Sequence, residues 1–220
     1  TGPRWKPGDY RDLLCLLFAL IRVSRTNPVA LEEHIEKPKE SALFGRYPRI
    51  LADREAVALI CDTLRAGSMN YDDPHQVEEV LEARMEAHRH HAMHSPHALQ
   101  TVADGLPALG IVAAVLGVIK TMSSIDQPPE VLGKMIGGAL VGTFLGILLA
   151  YGFIEPIANQ LNQKCEEGSK IYHVIKAVLL ASMNGYAPQV AIEFGRKVLN
   201  SGDRPSFIEL EEDLKARKGK

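Results

Sequence analysis

Five histidines lie within ten residues and are the side chains of this sequence best suited to binding a metal. They are His88, His90, His91, His94 and His97. Neutral imidazole is a common metal ligand, and the spacing of His90 and His94 would place both on one helix face. No cysteine completes a ligand set, however, and Pro96 interrupts the segment. The pattern favours a solvated linker, and a histidine-rich metal transporter is an alternative hypothesis.

Two polar side chains accompany long apolar runs and could act on an ion. Thr143 is the hydroxyl in the interior of the second run, where it could bond to its own helix or line an ion path. Asp104 stands at the margin of the first run, which favours an interfacial role. We find no nucleophile, metal-catalysis or phosphate-loop motif in the sequence. The protein is therefore not expected to be an enzyme.

Two apolar stretches position these residues and predict a membrane hairpin. Gly105 to Ile119 holds 15 residues without a charge, and Met135 to Ile154 holds 20. At roughly 1.5 Å per residue, the second stretch is about 30 Å long, which matches the hydrocarbon core of a bilayer. The first reaches spanning length over Leu99 to Met122 if Asp104 lies near one interface and Lys120 snorkels at the other.

The distribution of charge predicts how this hairpin is oriented. We expect transmembrane helices at 98–122 and 131–156, joined by a periplasmic loop at 123–130 that has two acids but no Lys or Arg. The flanks, 1–97 and 157–220, carry many charges of both signs, and the formal net charge of the chain is −2. By the positive-inside rule, both flanks lie in the cytoplasm. Nothing in this charge pattern indicates a nucleic-acid partner.

The flanks are predicted to be helical, so the fold class is all-α: an integral membrane protein with a helical cytoplasmic domain built from both flanks. The apolar run from Leu13 to Ile21 is too short to span a membrane and predicts a helix packed on other helices, with the membrane surface as the alternative. Capping boxes predict helices that begin after Asp73 and after Ser206, the latter with Glu209. No segment shows the sustained alternation expected of a strand. The three cysteines show no metal spacing and are expected to serve packing.

Glycines and prolines mark the contact surfaces and hinges of the predicted hairpin. Gly138, Gly142 and Gly146 recur every four residues, and small residues let helix backbones approach closely in lipid. This stripe predicts packing either within the hairpin or between subunits. Pro107 removes a backbone hydrogen bond and predicts a kink or a hinge, while Pro156 loosens the end of the second span.

Long segments, in order along the chain, resemble the A subunit of the bacterial flagellar motor stator, the MotA family. They are GRYPRILA at 45–52, GLPALGIVAAVLG at 105–117, ALVGTFLGILLAYG at 139–152, NGYAPQVAIEFGRK at 184–197 and PSFIELE at 205–211. The resemblance extends over nearly the whole sequence. Family members have four spans, and this hairpin resembles the third and fourth. The resemblance thus implies that two N-terminal spans are missing here and that the chain is a fragment.

The resemblance implies a multi-pass protein of the bacterial inner membrane. It also implies a ring of A subunits around a B-subunit dimer, and this assembly passes ions inward and turns the rotor. Pro107 and Pro156 resemble the two prolines that couple ion flow to movement. Thr143 resembles a threonine that faces the ion path. Ala114 stands where sodium-driven relatives carry a threonine, which favours protons as the coupling ion. The family's proton-carrying aspartate lies on the B subunit, and no other cofactor is implied.

Arg25 and Glu32 resemble the charged pair that faces the rotor's switch protein. Taken alone, either charge would be interpreted as part of a solvated face. The nearest alternative is a related proton-driven energiser of outer-membrane transport, whose sequences lack the long cytoplasmic matches. A membrane scaffold without ion flux is a further alternative, and it would cause no proton leak when expressed with a B subunit.

Overall fold

The computed structural model describes residues 5–68 and 74–218, and within these ranges the chain is helical and contains no strand. The α-helices in this part of the chain are α1 (Pro7–Thr26), α2 (Pro28–Glu36), α3 (Pro48–Ala52), α4 (Arg54–Ser68), α5 (Pro74–Met122), α6 (Pro129–Leu149), α7 (Glu155–Met183), α8 (Pro188–Val198) and α9 (Phe207–Lys218). A 3-10 turn at Phe44–Arg46 precedes α3, and a π-helical turn at Ala150–Ile154 joins α6 to α7. The all-α prediction is confirmed.

The chain forms two compact units. The hairpin unit comprises His90–Cys165, and the helical unit combines the residues up to Arg89 with those from Glu166 onward. Both α5 and α7 contribute residues to each unit. The predicted domain boundaries after residues 97 and 156 therefore fall inside continuous helices.

The helical unit is built around α1. The fully buried side chains of its apolar run are Leu13, Leu14, Leu16, Leu17, Leu20 and Ile21. A helix can be apolar on all sides only where other elements cover it, and α1 is contacted by α2, α3, α8 and α9. The prediction that this run packs on other helices is confirmed, and the membrane-surface alternative is wrong.

Cys15 and Cys61 are buried in this core. Burial, and next the charge of Asp62, raises the pKa of the Cys61 thiol to about 11.

A network of charged side chains links α2, α4 and α5 within the helical unit. Arg65 on α4 lies 2.9 Å from Glu36 of α2 and 3.1 Å from Asp62. Arg84 on α5 reaches the other oxygen of Asp62 at 2.7 Å and Glu55 at 2.8 Å. Isolated surface pairs contribute little, but two arginines that share one carboxylate restrict each other's geometry. The network therefore holds the first turns of α5 in place beside α4.

The last helix begins as its sequence predicts. The Ser206 backbone N–H donates to the Glu209 carboxylate at 2.9 Å, and the Glu209 N–H donates to Ser206 Oγ at 3.2 Å. This reciprocal pair confirms the capping box. The hydrogen bond from the Ser206 backbone, followed by that from its side chain, lowers the pKa of Glu209. The other predicted capping residue, Asp73, lies outside the described residues.

The hairpin unit consists of α5 from His90 onward and of α6 followed by α7 as far as Cys165. Both arms are long and apolar enough to cross a membrane, and only 11% and 17% of their most apolar windows are buried within the chain. Leu109, Leu116, Leu140 and Phe144 are 60–65% exposed. Such a surface suits contact with lipid or with other membrane helices, because its exposure to water is unfavourable.

Candidate functional site

The two arms of the hairpin meet through their smallest residues. A Cβ atom added to Gly117 would lie only 2.3 Å from the Ala139 Cβ. One added to Gly110 would lie 3.0 Å from the carbonyl oxygen of Gly142. No side chain larger than hydrogen fits at these two positions without displacing the facing helix. The contact is therefore one of backbone against backbone, as expected for helices that associate in lipid.

The three glycines of the four-residue repeat have different surroundings. A Cβ at Gly146 would lie 2.7 Å from the Leu106 carbonyl oxygen, and one at Gly142 would lie 3.1 Å from the Ala113 Cβ. Gly138 is exposed, and a Cβ there would meet nothing within 4 Å. A step of four residues turns the helix by about 40° beyond a full turn, so two steps carry Gly138 away from the contact. Packing within the hairpin is thus the wrong interpretation for Gly138, and the inter-subunit alternative stays a prediction.

Thr143 bonds across the hairpin and not to its own helix. Its hydroxyl donates to the carbonyl oxygen of Gly110 at 3.2 Å. The bond is possible because Gly110 has no side chain to hold the two backbones apart. Ala114, one turn further along α5, is half-buried. The lining of an ion path by Thr143 and Ala114 stays a prediction. Asp104 is exposed and accepts a hydrogen bond from the Gln100 amide at 2.9 Å.

Pro107 and Pro156 both lie at gaps in the helical hydrogen-bond ladder. Pro107 is inside α5, which continues past it to Met122 although proline offers no N–H to the carbonyl of Ala103. Pro156 follows the π-helical turn, in which the Glu155 N–H donates to the Ala150 carbonyl five residues earlier. Helices bend most readily at prolines and at π-helical turns. The structure thus provides two points of low bending resistance, while their coupling role stays a prediction.

The histidine segment is part of α5, so the prediction of a linker is wrong, although four of its five histidines are exposed to solvent as predicted. Pro96 has no N–H, so the carbonyl of Ala92 lacks its helical hydrogen-bond partner. The Cys165 thiol on α7 donates a hydrogen bond to that carbonyl oxygen, with an S···O distance of 3.4 Å. Pro96 itself is buried. The thiol thus replaces the missing backbone bond, and the helix continues through the proline. Membrane helices commonly tolerate proline through such neighbouring donors.

The histidines do not converge on a metal site in the described part of the chain, where no three His, Cys, Asp or Glu side chains are placed to hold an ion. His88 packs edge-on against Tyr172, with ring centroids 4.9 Å apart. The Tyr172 hydroxyl donates to Asp53 at 3.3 Å. Burial, followed by the charge of Asp53, raises the pKa of Tyr172. His88 thus has a packing role, and the four other histidines of the cluster are exposed.

The predicted rotor-facing charges, Arg25 and Glu32, lie in the helical unit. Both are exposed, Arg25 near the end of α1 and Glu32 on α2. Arg25 Nη2 donates to the carbonyl of Tyr186 at 2.5 Å and to that of Ser182 at 3.4 Å. Gly185, with a φ of +84°, makes the turn between these carbonyls. Arg25 therefore binds the C-terminal end of α7 as well as facing solvent, a role that its sequence position does not reveal.

Sequence reasoning did not single out Ala139 or Cys165. Ala139 carried a usable signal, since it precedes Thr143 by four residues and extends a line of small residues along α6. Cys165 carried none, because its partner is a backbone carbonyl 73 residues away. A contact of this kind depends on how the helices are packed and not on the spacing of residue types.

Comparison with known proteins identifies relatives of this chain. The sequence profile described as the MotA/TolQ/ExbB proton channel family matches residues 53–173. Motility protein A of Escherichia coli K12 is 49% identical over 210 residues, which are 95% of this chain and 71% of that protein. Chemotaxis protein LafT of Vibrio parahaemolyticus is 33% identical over 219 residues, which are 99% of this chain and 77% of that protein.

A solved structure shares the fold. The structure of C. jejuni MotAB matches 90% of this chain and 71% of its own with a TM-score of 0.68, at 19% sequence identity. The family is one of proton channels and not of enzymes. Because its profile matches more than half of the chain and motility protein A matches nearly all of it, this chain belongs to the MotA/TolQ/ExbB proton channel family.

Proposed function

We propose that this chain is the A subunit of a flagellar motor stator, which passes protons inward across the bacterial inner membrane with a B subunit and turns the rotor. The observation that carries the proposal is the 49% identity to motility protein A along 95% of the chain. The closely packed hairpin with a proline in each arm supports it, since a force-generating channel needs helices with two alternative packings. An energiser of outer-membrane transport is less well supported, because the relatives at high coverage are motility and chemotaxis proteins.

The proton-binding group is supplied by the partner. The apolar runs Gly105–Ile119 and Met135–Ile154 contain no Asp, Glu, Lys or Arg. Asp104 is exposed at the margin of the first run and is not the carrier. Thr143 uses its hydroxyl proton in the bond to Gly110, and its oxygen lone pairs remain able to accept a bond from water in the ion path. Ala114 offers a methyl group and no oxygen to a partly dehydrated cation, which suits protons better than sodium.

The exposed apolar surface of the hairpin supports assembly in the membrane. With no more than 17% of either apolar window buried, the two arms provide surface for lipid, for the B-subunit dimer and for neighbouring A subunits in a ring. Both flanks lie in the cytoplasm in this proposal, because the 123–130 loop lacks Lys and Arg. The helical unit formed by the flanks then meets the rotor's switch protein through Arg25 and Glu32.

Protonation is converted to movement at the two prolines. When the partner's acid gains a proton, the charge beside the hairpin changes, and this biases the equilibrium between two packings of α5 against α6. Bending is concentrated at Pro107 and at the π-helical turn before Pro156, where the hydrogen-bond ladder is already interrupted. Since α5 and α7 continue into the helical unit, a change in the hairpin displaces the helices that contact the rotor.

Replacement of the prolines tests this proposal in cells that lack their own A subunit. Pro107→Ala and Pro156→Ala should abolish swimming while the protein still assembles with the B subunit in the membrane. Pro129→Ala is the matched control, since Pro129 is the first residue of α6 and interrupts no helical hydrogen bond. Normal swimming of both hinge variants would refute the coupling role. Swimming of the wild type should persist without sodium and stop when a protonophore is added.

Charge reversal tests the rotor contact. Glu32→Lys removes an exposed carboxylate, and Arg25→Glu also removes the bonds to the end of α7. Glu32→Lys is therefore the cleaner variant, and it should impair rotation and be rescued by an opposite charge change in the rotor. A variant that swims normally would show that Glu32 is an ordinary surface charge.

A further inference from the structure

A line of exposed apolar side chains follows one face of α8 in the helical unit. The members of this aromatic stripe, with their exposed fractions, are Tyr186 at 47%, Val190 at 42%, Phe194 at 45% and Val198 at 45%. Val190, Phe194 and Val198 are spaced by four residues on α8 and span about 80° of its circumference, so they share one side of the helix, whereas Tyr186 precedes α8 by two residues. The rings of Tyr186 and Phe194 contact each other, with centroids 5.2 Å apart. This ring contact joins Tyr186 to the apolar side of α8, so the stripe begins before the helix and follows one side of it.

The stripe is not needed to hold α8 in the helical unit. Ala191, Ile192 and Gly195 form the buried side of the helix. A Cβ on Gly195 would lie 2.3 Å from a methyl of Val178 and 3.0 Å from a methyl of Leu14, so this side already packs as closely as it can. Continuous exposed apolar patches on soluble units typically mark interaction sites.

Positive charge borders the stripe at both ends. The exposed Arg25 side chain donates to the backbone carbonyl of Tyr186, which places a cation at the first residue of the stripe. Lys197 is exposed and follows Phe194 by three residues, which places it one turn further along the same face. The nearest carboxylate on α8, Glu193, is held by Arg196 through two bonds of 2.7 and 3.0 Å. The edge of the stripe therefore carries an excess of cations.

We infer that the aromatic stripe is a docking surface for the rotor's switch protein, which meets it with an apolar helix face flanked by carboxylates. This inference rests on the proposed function and extends the rotor contact beyond its charges. Arg25, which that proposal assigns to the rotor, is hydrogen-bonded to the first residue of the stripe, so charge and stripe form one surface. Buried aromatic residues supply most of the affinity in such interfaces, while bordering charges select and orient the partner.

The charges argue against a second copy of this chain as the occupant. Two copies that met through their stripes would bring Arg25 and Lys197 of one subunit close to the same cations of the other. Like charges in an interface disfavour binding. An acidic partner turns the same cations into attractive contacts, and the proposed rotor contact of Arg25, which is bonded to Tyr186, identifies that partner as the switch protein.

Photo-cross-linking in motile cells tests the inference. A benzophenone amino acid at position 190 should form an adduct with the switch protein. The same probe at Val80 is the matched control, since Val80 is a 65% exposed valine on α5 and lies outside the stripe. An adduct only with another A subunit, or no adduct at position 190, would overturn the inference, as would equal capture of the switch protein from both positions.

A substitution provides the second test. Phe194→Ser should reduce recruitment of stators to the rotor roughly tenfold, as expected on loss of an aromatic anchor. It should lower the melting temperature of the purified A–B complex by only a few degrees, because Phe194 is half-exposed and loses only its contact with Tyr186, and Val80→Ser should leave recruitment unchanged. Undiminished recruitment of Phe194→Ser would overturn the inference. If the wild-type protein with its first two spans present fails to restore swimming, the proposed function fails; if that wild type and its Phe194→Ser variant restore swimming equally, only the stripe is wrong.

Discussion

Replacing Gly146 with alanine is expected to push the two membrane helices apart. The new Cβ would lie 2.7 Å from the Leu106 carbonyl oxygen, whereas ordinary contacts begin near 3.4 Å. The atom that it meets belongs to the backbone, so no rotation of a side chain can relieve the clash. The helices must therefore separate locally by about 0.7 Å. This shift lengthens the bond from Thr143 to Gly110 from 3.2 Å to about 3.9 Å, beyond hydrogen-bond range.

The expected cost follows from these contacts. Overpacking of a close contact costs about 1–3 kcal/mol. Loss of a hydrogen bond between membrane helices costs about 0.6 kcal/mol on average and up to about 1.7 kcal/mol. The greater helix propensity of alanine offsets about 0.5–1 kcal/mol. The net loss of stability is about 1–4 kcal/mol, which corresponds to a fall in melting temperature of roughly 5–10 °C at the middle of that range.

The assay is thermal unfolding of the A chain alone in mild detergent, with its oligomeric state checked by gel filtration. Gly138→Ala is the matched control, because it makes the same chemical change on the same helix but adds a methyl group that meets nothing within 4 Å. Its melting temperature should be unchanged or slightly higher than that of the wild type. Equal melting temperatures for Gly146→Ala and Gly138→Ala would refute the close approach of α5 and α6 at Gly146.

Two further predictions concern the other contacts. Cys165→Ala should destabilise the hairpin by about 1 kcal/mol, because it leaves the Ala92 carbonyl unpaired. The same change in a Pro96→Ala background should cost nothing, because the alanine introduced there would supply the missing N–H. A double-mutant cycle measured by thermal unfolding tests this, and equal costs in the two backgrounds would contradict it. Glu209, whose pKa is lowered by its bonds to Ser206, should stabilise α9 fully above its unfolded pKa of about 4.5 and lose this effect as the pH falls through the lower folded pKa. Unfolding curves of wild type and Glu209→Gln should therefore converge below the folded pKa, and a difference that persists there would refute the assignment.

The sequence by itself determined the helical class, the two spans and the start of α9. These features depend on interactions within a few residues: a run of 20 uncharged residues matches a bilayer, and Ser206 and Glu209 are three residues apart. The same local reasoning failed at Pro96. Proline ends many helices because it removes a hydrogen bond, and the thiol that compensates for the loss is distant in the chain.

Only the tertiary structure decided which of several equivalent residues make contact. The repeat does not distinguish Gly138 from Gly146, because the difference arises from the angle at which a second helix crosses the first. Thr143 bonds to Gly110 and Arg25 to Tyr186 across 33 and 161 residues, respectively. Sequence patterns record which residues share a face of one helix. The partner that each face meets is set by the packing of all the helices together, through contacts that no local spacing encodes.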